Sequence, residues 1–173
     1  MRHFLPLLCM AMLVAGGAQG RAAEAYPDTA VKAAFLLRFA EYVEWPAAPP
    51  EEFVIAVLDT TGMAAQLREF ATRQLHGRPV RVRAVNSFAA ARGAQILYVG
   101  SSGREELRSL SRTGSPPGML IVSDVRQGLA HGSTINFLDA DGRVRFEASL
   151  ESASRAGLKI SAELLSVAVR VVR

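Results

Sequence analysis

Hydrophobic residues near the start of the chain recur at helical spacing. Between Asp28 and Glu44 the apolar positions cover about half of a helix circumference; they are Val31, Phe35, Leu36, Phe39, Tyr42 and Val43. Asp28 or Thr29 is expected to cap this helix. Trp45-Pro46 is expected to end it, because the residue before a proline avoids helical backbone angles. The pattern predicts a first helix that is widely buried.

Three short apolar runs have the pattern of strands that are buried on both faces. They are Phe53–Leu58, Gln95–Val99 and Met119–Val122. A helix is expected after the first run, from Asp59-Thr60-Thr61-Gly62 to Leu75. A second helix is expected after Gly100-Ser101-Ser102-Gly103 and through Leu110, with Ser102 and Glu105 spaced as a capping box. These strand–helix units favour a parallel sheet.

Other segments alternate in polarity, as half-buried strands do. Val80–Val85 predicts one such strand. Ser133–Leu138 and Arg143–Leu150 flank Asp139-Ala140-Asp141-Gly142, whose Asp-Gly step favours a tight hairpin turn. Together these elements predict an α/β fold: a three-layer sandwich with a mixed, mainly parallel sheet plus a C-terminal antiparallel hairpin.

The C-terminal part of the chain is less clear. Glu151–Ala156 is expected to be helical, with Gly157 as the residue that follows the helix end. The apolar segment Ser161–Val172 is rich in valine, which leaves helix and strand open. The spacing of Leu164, Leu165, Ala168 and Val172 favours the helix.

The N-terminus has the composition of an export signal. Arg2 and His3 precede an apolar run from Phe4 to Val14, and small residues follow. The run is too short to span a membrane, which takes about 20 residues. Cleavage after Gly20, Ala22 or Ala25 would fit the small residues there. Taking residues 1–22 as the signal, we expect a single domain over residues 23–173 and a periplasmic location. A length of 173 residues with 50% hydrophobic content fits one such domain.

Charge and cysteine content exclude several chemistries. The net charge is +4, and without residues 1–22 there are 18 cations against 16 anions, so nucleic-acid binding is not expected. The single cysteine, Cys9, lies in the predicted signal. The remaining chain therefore has no thiol nucleophile, disulfide or thiolate metal site.

Enzyme motifs and metal-ligand spacings are not found in the sequence. Gly100-Ser101-Ser102-Gly103 lacks the spacing of a nucleophile elbow and of a phosphate-binding loop. His76 and His131 each stand beside a glycine in a predicted turn. We therefore expect no catalytic residue, no metal and no cofactor.

Polar residues at the ends of the buried strands offer one candidate site. Asp59, Ser101 and Asp124 would meet at the carboxyl edge of a parallel sheet, where α/β proteins usually bind ligands. The alternative is that these residues only cap helices and end strands. The first interpretation makes the protein a periplasmic small-ligand-binding protein that serves a membrane receptor or transport system.

Ionic and aromatic residues within apolar segments offer a second candidate site. Arg38, Glu147 and Lys159 each lie in such a segment and must find partners if buried. Glu147 also alternates with Arg143 and Arg145, so it could instead belong to an exposed ladder of charges. The aromatic residues of the first helix and its end, Phe39, Tyr42 and Trp45, fit either the core or a contact with another subunit.

Several of these segments, in order, resemble the YfiR family of periplasmic proteins, which carry a domain of initially unknown function. Near the N-terminus the resemblance lies in Val31–Phe39 and in Val43-Glu44-Trp45-Pro46. In the C-terminal half it lies in three segments: Gly132–Phe137, Gly142–Glu147, and Ala156–Ser161 with Leu164-Leu165. The resemblance spans nearly all of the chain after the predicted signal.

This resemblance implies a non-enzymatic regulator that binds the periplasmic part of an inner-membrane diguanylate cyclase, or a related sensor, and represses it. It also implies that Arg38, Glu147 and Lys159 belong to a ligand or partner site, to which we add Phe39 and Trp45. We expect a homodimer formed through the apolar first helix, without insertion into the membrane.

Two departures from the family pattern limit the comparison. Some members use disulfides in the mature domain, whereas this sequence has no cysteine beyond Cys9. The usual Phe-Glu-Ile-Asn is Phe146-Glu147-Ala148-Ser149 here, which removes an amide. Redox control and any pocket built on that amide are therefore not carried over.

Overall fold

The computed structural model describes residues 27–47, 51–58, 62–71 and 74–173. The predicted signal peptide and Asp59 lie outside the described residues. The described residues form five α-helices: α1 (Asp28–Tyr42), α2 (Met63–Phe70), α3 (Arg104–Thr113), α4 (Leu150–Arg155) and α5 (Ala162–Ser166). A 3₁₀ turn at Gly128–His131 and another at Ser101–Gly103 matter below.

The strands form one large and one small sheet. In chain order they are β1 (Val43–Glu44), β2 (Phe53–Leu58), β3 (Gln74–Leu75), β4 (Arg78–Ala84), β5 (Ile96–Val99), β6 (Leu120–Ser123), β7 (Ile135–Ala140), β8 (Arg143–Ser149), β9 (Lys159–Ile160) and β10 (Arg170–Val172). The eight-stranded sheet has the order β10-β8-β7-β6-β5-β2-β4-β3, and β1 pairs with β9 in a separate two-stranded sheet.

Strand directions confirm the predicted mixed, mainly parallel sheet. β4, β2, β5, β6 and β7 are parallel neighbours, while β8 runs antiparallel to β7. The β7–β8 turn is the predicted hairpin: Asp141 and Gly142 have φ angles of 55° and 69°, and the Gly142 amide donates to Asp139 Oδ1 at 2.9 Å. β10 is parallel to β8, and β3 is antiparallel to β4.

Helices cover the sheet on both faces, which confirms the three-layer sandwich. α1 and α2 pack on one face with side chains such as Leu36, Phe39 and Leu67, and α4 and α5 join the same core. α3 packs on the opposite face of β2, β5 and β6 through Leu107 and Leu110. Alternate residues of each central strand therefore enter two different cores.

Several predicted helix boundaries were wrong. α3 begins at Arg104 and has no side-chain cap, because Glu105 pairs instead with Arg108 at 2.9 Å. α1 follows Pro27, and neither predicted residue caps it. α2 ends at Phe70, so the chain near Leu75 forms β3 rather than helix.

The C-terminal segment is only partly helical. α5 ends at Ser166, and residues from Arg170 onward form β10, so the predicted helix to Val172 was wrong. Helical spacing suggested a continuous helix, but the valines of this region take the free edge of β8, where β-branched side chains are favoured. Gly157, with a φ of 71°, follows α4 as predicted.

Candidate functional site

A row of four polar side chains crosses the face of the sheet that points away from α1. Ser123, Asn136, Glu147 and Arg170 lie on β6, β7, β8 and β10, and each is the register partner of the next. We call these four residues the polar row. Ser123 and Asn136 have no exposed surface, and Glu147 is 3% exposed.

Hydrogen bonds connect the polar row from end to end. Ser123 Oγ donates to Asn136 Oδ1 at 2.7 Å, and Asn136 Nδ2 donates to Glu147 Oε1 at 3.1 Å. Arg170 Nε donates to Glu147 Oε2 at 2.8 Å, and Arg170 Nη2 donates to the same oxygen. Both carboxylate oxygens of the buried Glu147 thus have donors, as a buried charge requires.

The 3₁₀ turn at Gly128–His131 lies directly on the polar row. A Cβ at Gly128 would stand 2.2 Å from Ser123 Oγ and 2.3 Å from Asn136 Oδ1, so only glycine fits there. The turn therefore covers Ser123 and Asn136, whereas Arg170 at the other end of the row is exposed. The exposed ladder suggested for Glu147 was wrong, since Arg143 and Arg145 are exposed but Glu147 is not.

At the carboxyl edge of the sheet, Asp124 accepts hydrogen bonds from two side chains. Lys32 Nζ of α1 and Tyr98 Oη each donate to Asp124 Oδ2 at 2.8 Å. Asp124 Oδ1 is buried and has no hydrogen-bond partner among the residues that the structure describes. Ser101 is exposed in the Ser101–Gly103 turn, and Asp59 is not described. A ligand site at this edge stays a prediction.

Around the C-terminal half of α1, polar and aromatic side chains are exposed or half-exposed to solvent. Arg38, Glu41, Tyr42 and Trp45 form what we call the α1 surface. Arg38 is 64% exposed, donates to Glu41 at 2.8 Å and holds its guanidinium carbon 5.8 Å from the centre of the Tyr42 ring. The hydrogen bond with Glu41 raises the pKa of Arg38, and arginine is in any case a permanent cation in proteins.

Shallow grooves border the α1 surface on three sides. One of about 530 Å³ lies between α1 and α2 and reaches Arg38 and Glu41. A second of about 540 Å³ runs past Tyr42, Trp45 and His76. A smaller one of about 220 Å³ lies between α1 and α5, where Phe35, Tyr42 and Val167 provide an apolar lining.

The five residues singled out from the sequence do not form one cluster. Trp45 is half-buried: its Nε1 donates to the Gln95 carbonyl at 3.3 Å, and its ring meets Phe53 edge-on at 5.2 Å. Lys159 is exposed and lies 3.9 Å from Glu44 through its ammonium group. Glu147 belongs to the polar row on the other face of the sheet.

Phe39 lies inside the protein rather than on the α1 surface. It has no exposed area and packs against Phe137 and Phe146 with ring centres 5.6 and 5.0 Å away. Its role in this structure is to hold α1 on the sheet. The apolar face of α1, expected to form a dimer, is likewise occupied by the sheet.

Sequence reasoning did not single out Ser123, Asn136, Arg170 or Lys32. Asn136, between Ile135 and Phe137, fitted the alternation of a half-exposed strand, so its burial left no signal in the sequence. Arg170 was missed because its segment was assigned to a helix. The partners of Lys32 and Ser123 are distant in sequence, and a single sequence gives no sign of them.

Metal and membrane features can be assessed for the described ranges only. Those ranges contain no group of three or more His, Cys, Asp or Glu residues that could hold a metal ion. Within the same ranges, every helix falls short of the length and apolarity of a membrane span.

The sheet and the helices on its two faces define an α/β sandwich domain. The sequence model of the YfiR/HmsC-like family (DUF4154) matches residues 29–169. The chain therefore belongs to the YfiR/HmsC-like family, as the resemblance of its motifs indicated.

Comparison with solved structures supports the fold alone. A conserved domain protein from Vibrio cholerae O1 biovar eltor strain N16961 has a TM-score of 0.55 at 11% sequence identity. The match covers 83% of this chain and 60% of that one, so this chain spans less than two thirds of its length. No curated protein matches the sequence.

Proposed function

We propose that this protein is an exported, non-enzymatic regulator that binds the periplasmic part of an inner-membrane diguanylate cyclase, or a related sensor, and represses it. Membership of the YfiR/HmsC-like family supports a regulatory class. The observation that carries a protein partner is the α1 surface, where a permanent cation, an exposed tyrosine and three grooves lie together.

The α1 surface has the composition of a protein-binding site. Tyr42 is 36% exposed beside Arg38, and tyrosine and arginine are the residues that most often dominate binding energy at interfaces. The half-buried Trp45 adds a rigid ring on one side. Lys159 and Glu44 face each other at the neighbouring β1–β9 ladder and extend the charged rim.

Repression would follow from a difference in affinity between two states of the cyclase. If the regulator binds the inactive state more tightly, it shifts the population toward that state by the ratio of the two affinities. In this mechanism Arg38 and Trp45 contact the partner, and Lys159 contributes charge. Phe39 and Glu147 act indirectly, by fixing α1 and the sheet behind the surface.

Cellular cyclic di-GMP is the quantity that tests this proposal. Deleting the gene should raise it, and a plasmid copy should restore it. A copy without residues 1–22 should fail to restore it, which would also support export by a cleaved signal. Unchanged cyclic di-GMP in the deletion strain under several growth conditions would contradict the proposal.

A matched pair of charge reversals tests the surface itself. Arg38→Glu should weaken complementation, because it reverses the charge beside Tyr42. Arg68→Glu is the control, since Arg68 is an exposed arginine on α2 outside the α1 surface. Equal complementation by both folded variants would show that the partner binds elsewhere.

A ligand-binding function is the second candidate. Asp124 Oδ1 at the carboxyl edge, which is buried and has no partner within the described ranges, favours it, because such an atom is usually satisfied by a donor. A screen of periplasmic metabolites for thermal stabilisation would test it. Stabilisation that disappears in Asp124→Asn, together with unchanged cyclic di-GMP on deletion, would favour this candidate over the regulator.

A further inference from the structure

We propose that the outer edge of β10 binds an extended acidic segment of a partner protein, which adds to the sheet as a further strand. This surface lies at the end of the large sheet and is separate from the α1 surface. Its argument does not depend on the identity of the membrane partner.

The first observation is an open sheet edge. β10 is the last strand in the sheet order, and within the described ranges no strand pairs with its outer side. Such edges are usually protected by proline, lysine, a bulge or a covering element. On this edge Val169 and Val171, which are 53% and 36% exposed, alternate with Arg170, whose side chain is 63% exposed.

The backbone of β10 is positioned to accept another strand. The Val169 amide donates to the Phe146 carbonyl at 2.9 Å, inside the sheet. Because amides alternate in direction along a strand, those of Arg170 and Val172 point to the open side. The bonds between Arg170 and Glu147 fix this short strand in place, so the edge is ordered before a partner arrives.

The second observation is unpaired positive charge beside this edge. A groove of about 520 Å³ is lined by Ala140, Asp141, Arg143, Arg145 and Val169. Arg143 and Arg145 are exposed and form no ion pair with any residue that the structure describes. Asp139 accepts a hydrogen bond from the Gly142 amide and pairs with neither arginine, and the two arginines outnumber Asp141, the one carboxylate that lines the groove. A strand with carboxylates would supply the missing partners.

Charge also disfavours a second copy of this chain as the occupant. Because the outward amides belong to Arg170 and Val172, a symmetric antiparallel pair of β10 strands can be centred on Arg170, which would place the two Arg170 side chains opposite each other. Like charges directly opposite each other destabilise strand pairs. An acidic segment of another protein fits both the exposed valines and the arginines.

The test uses synthetic peptides and the purified full-length mature protein in an NMR titration. A peptide of alternating Glu and Val should shift the amide signals of β10 and β8. The same peptide with Lys in place of Glu should bind about tenfold more weakly, because complementary charge selects the partner. A version that is N-methylated at alternate amides should lose binding, because strand addition requires those donors.

Three variants locate the site. Arg143→Glu should weaken the Glu/Val peptide about tenfold, whereas Arg68→Glu, which reverses an exposed arginine elsewhere, should not. Val172→Pro should abolish binding, because it removes an outward amide while leaving the inward bonds of β10. Circular dichroism and urea unfolding identify any variant that fails to fold. If Val172→Pro fails to fold, Arg143→Glu still tests the proposal.

Each alternative occupant of the β10 edge predicts a different experimental result. Any one of these results would overturn the proposal. Undiminished binding of the N-methylated peptide would mean charge attraction without strand addition. Absent peptide binding, together with Arg143-dependent binding to phosphatidylglycerol vesicles, would indicate a membrane surface. Sedimentation as a dimer that Val172→Pro dissociates would indicate a second copy. None of these results bears on cyclic di-GMP, so the repressor proposal stands or fails separately.

Discussion

Neighbouring residues of β7 and β8 point to opposite faces of the sheet, and the two faces differ in their chemistry. On the α1 side, Phe137 and Phe146 join Phe39 in an aromatic cluster. On the other side, Asn136 and Glu147 belong to the polar row under Gly128. One face is apolar and the other is polar, yet both are buried.

The comparison shows that the amount of stabilisation and the register of the strands are specified by different residues. Aromatic packing contributes a large stabilisation that many apolar arrangements could supply. The polar row tolerates only one register, because a shift of β8 by one residue would place Glu147 among the phenylalanines. The apolar face therefore supplies most of the stability, and the polar face fixes which strands pair and where.

The largest expected effect comes from the aromatic face. Phe39→Ala should lower the free energy of unfolding by about 3–5 kcal/mol, because it leaves a cavity among fully buried rings. Urea unfolding measures it. Tyr42→Ala is the control on the same helix, and it should cost far less because Tyr42 is 36% exposed. Similar losses in both would mean that α1 is held loosely.

On the polar face, the close approach of the 3₁₀ turn predicts the next effect. Gly128→Ala should cost about 1–3 kcal/mol, because the new methyl group overlaps two hydrogen-bonded oxygens of the polar row. Gly142→Ala is the comparison: its Cβ would meet nothing within 4 Å, so only backbone strain remains. Thermal melting separates the two, and a smaller loss at Gly128 would show that the turn can lift from the row.

Removing the outer end of the polar row sharpens the comparison further. Arg170→Met should cost about 1–3 kcal/mol, because it leaves one oxygen of the buried Glu147 without its donors. Arg145→Met, on the same face of β8 but without an ion pair in the described chain, should change stability little. A neutral Arg170→Met would mean that solvent replaces the guanidinium at the sheet edge.

The smallest effect is expected where β8 passes into α4. Ser149 Oγ accepts a hydrogen bond from the Ser152 amide at 3.2 Å and so caps α4. Ser149→Ala should cost about 1 kcal/mol. Ser149→Asn, which restores the residue usual in the family, should cost much less because asparagine also caps helices. Equal losses in chemical denaturation would show that the cap is unimportant.

The sequence was sufficient to predict the elements in which buried residues recur at a regular spacing. The strand Phe53–Leu58 was located to the residue, and the Asp141-Gly142 turn carried its own chemical signal. β1 and β9 have two residues each, too few for any period to be visible. β10 was assigned to a helix because Leu164, Leu165, Ala168 and Val172 satisfy helical spacing, although the chain changes conformation within that set.

The candidate site was harder to predict, because burial at one residue depends on distant ones. Alternation placed Glu147 on the same face as Arg143 and Arg145, but the pattern could not show that Glu147 is buried while the two arginines are exposed. Phe39 and Tyr42 are three residues apart on one helix, yet one is in the core and the other is exposed. Three-dimensional packing decides such cases.

The small β1–β9 ladder also has a kinetic consequence. It joins Glu44 to Lys159, and closing a loop of roughly a hundred residues is entropically costly before other contacts exist. We expect this ladder to form late in folding, after the central strands have paired. In pulse-labelled hydrogen exchange, the Ser161 amide, bonded to the Tyr42 carbonyl, should gain protection later than the Thr134 amide, bonded to the Ile121 carbonyl. The contact between the end of α1 and the β9 segment would thus be among the last to form.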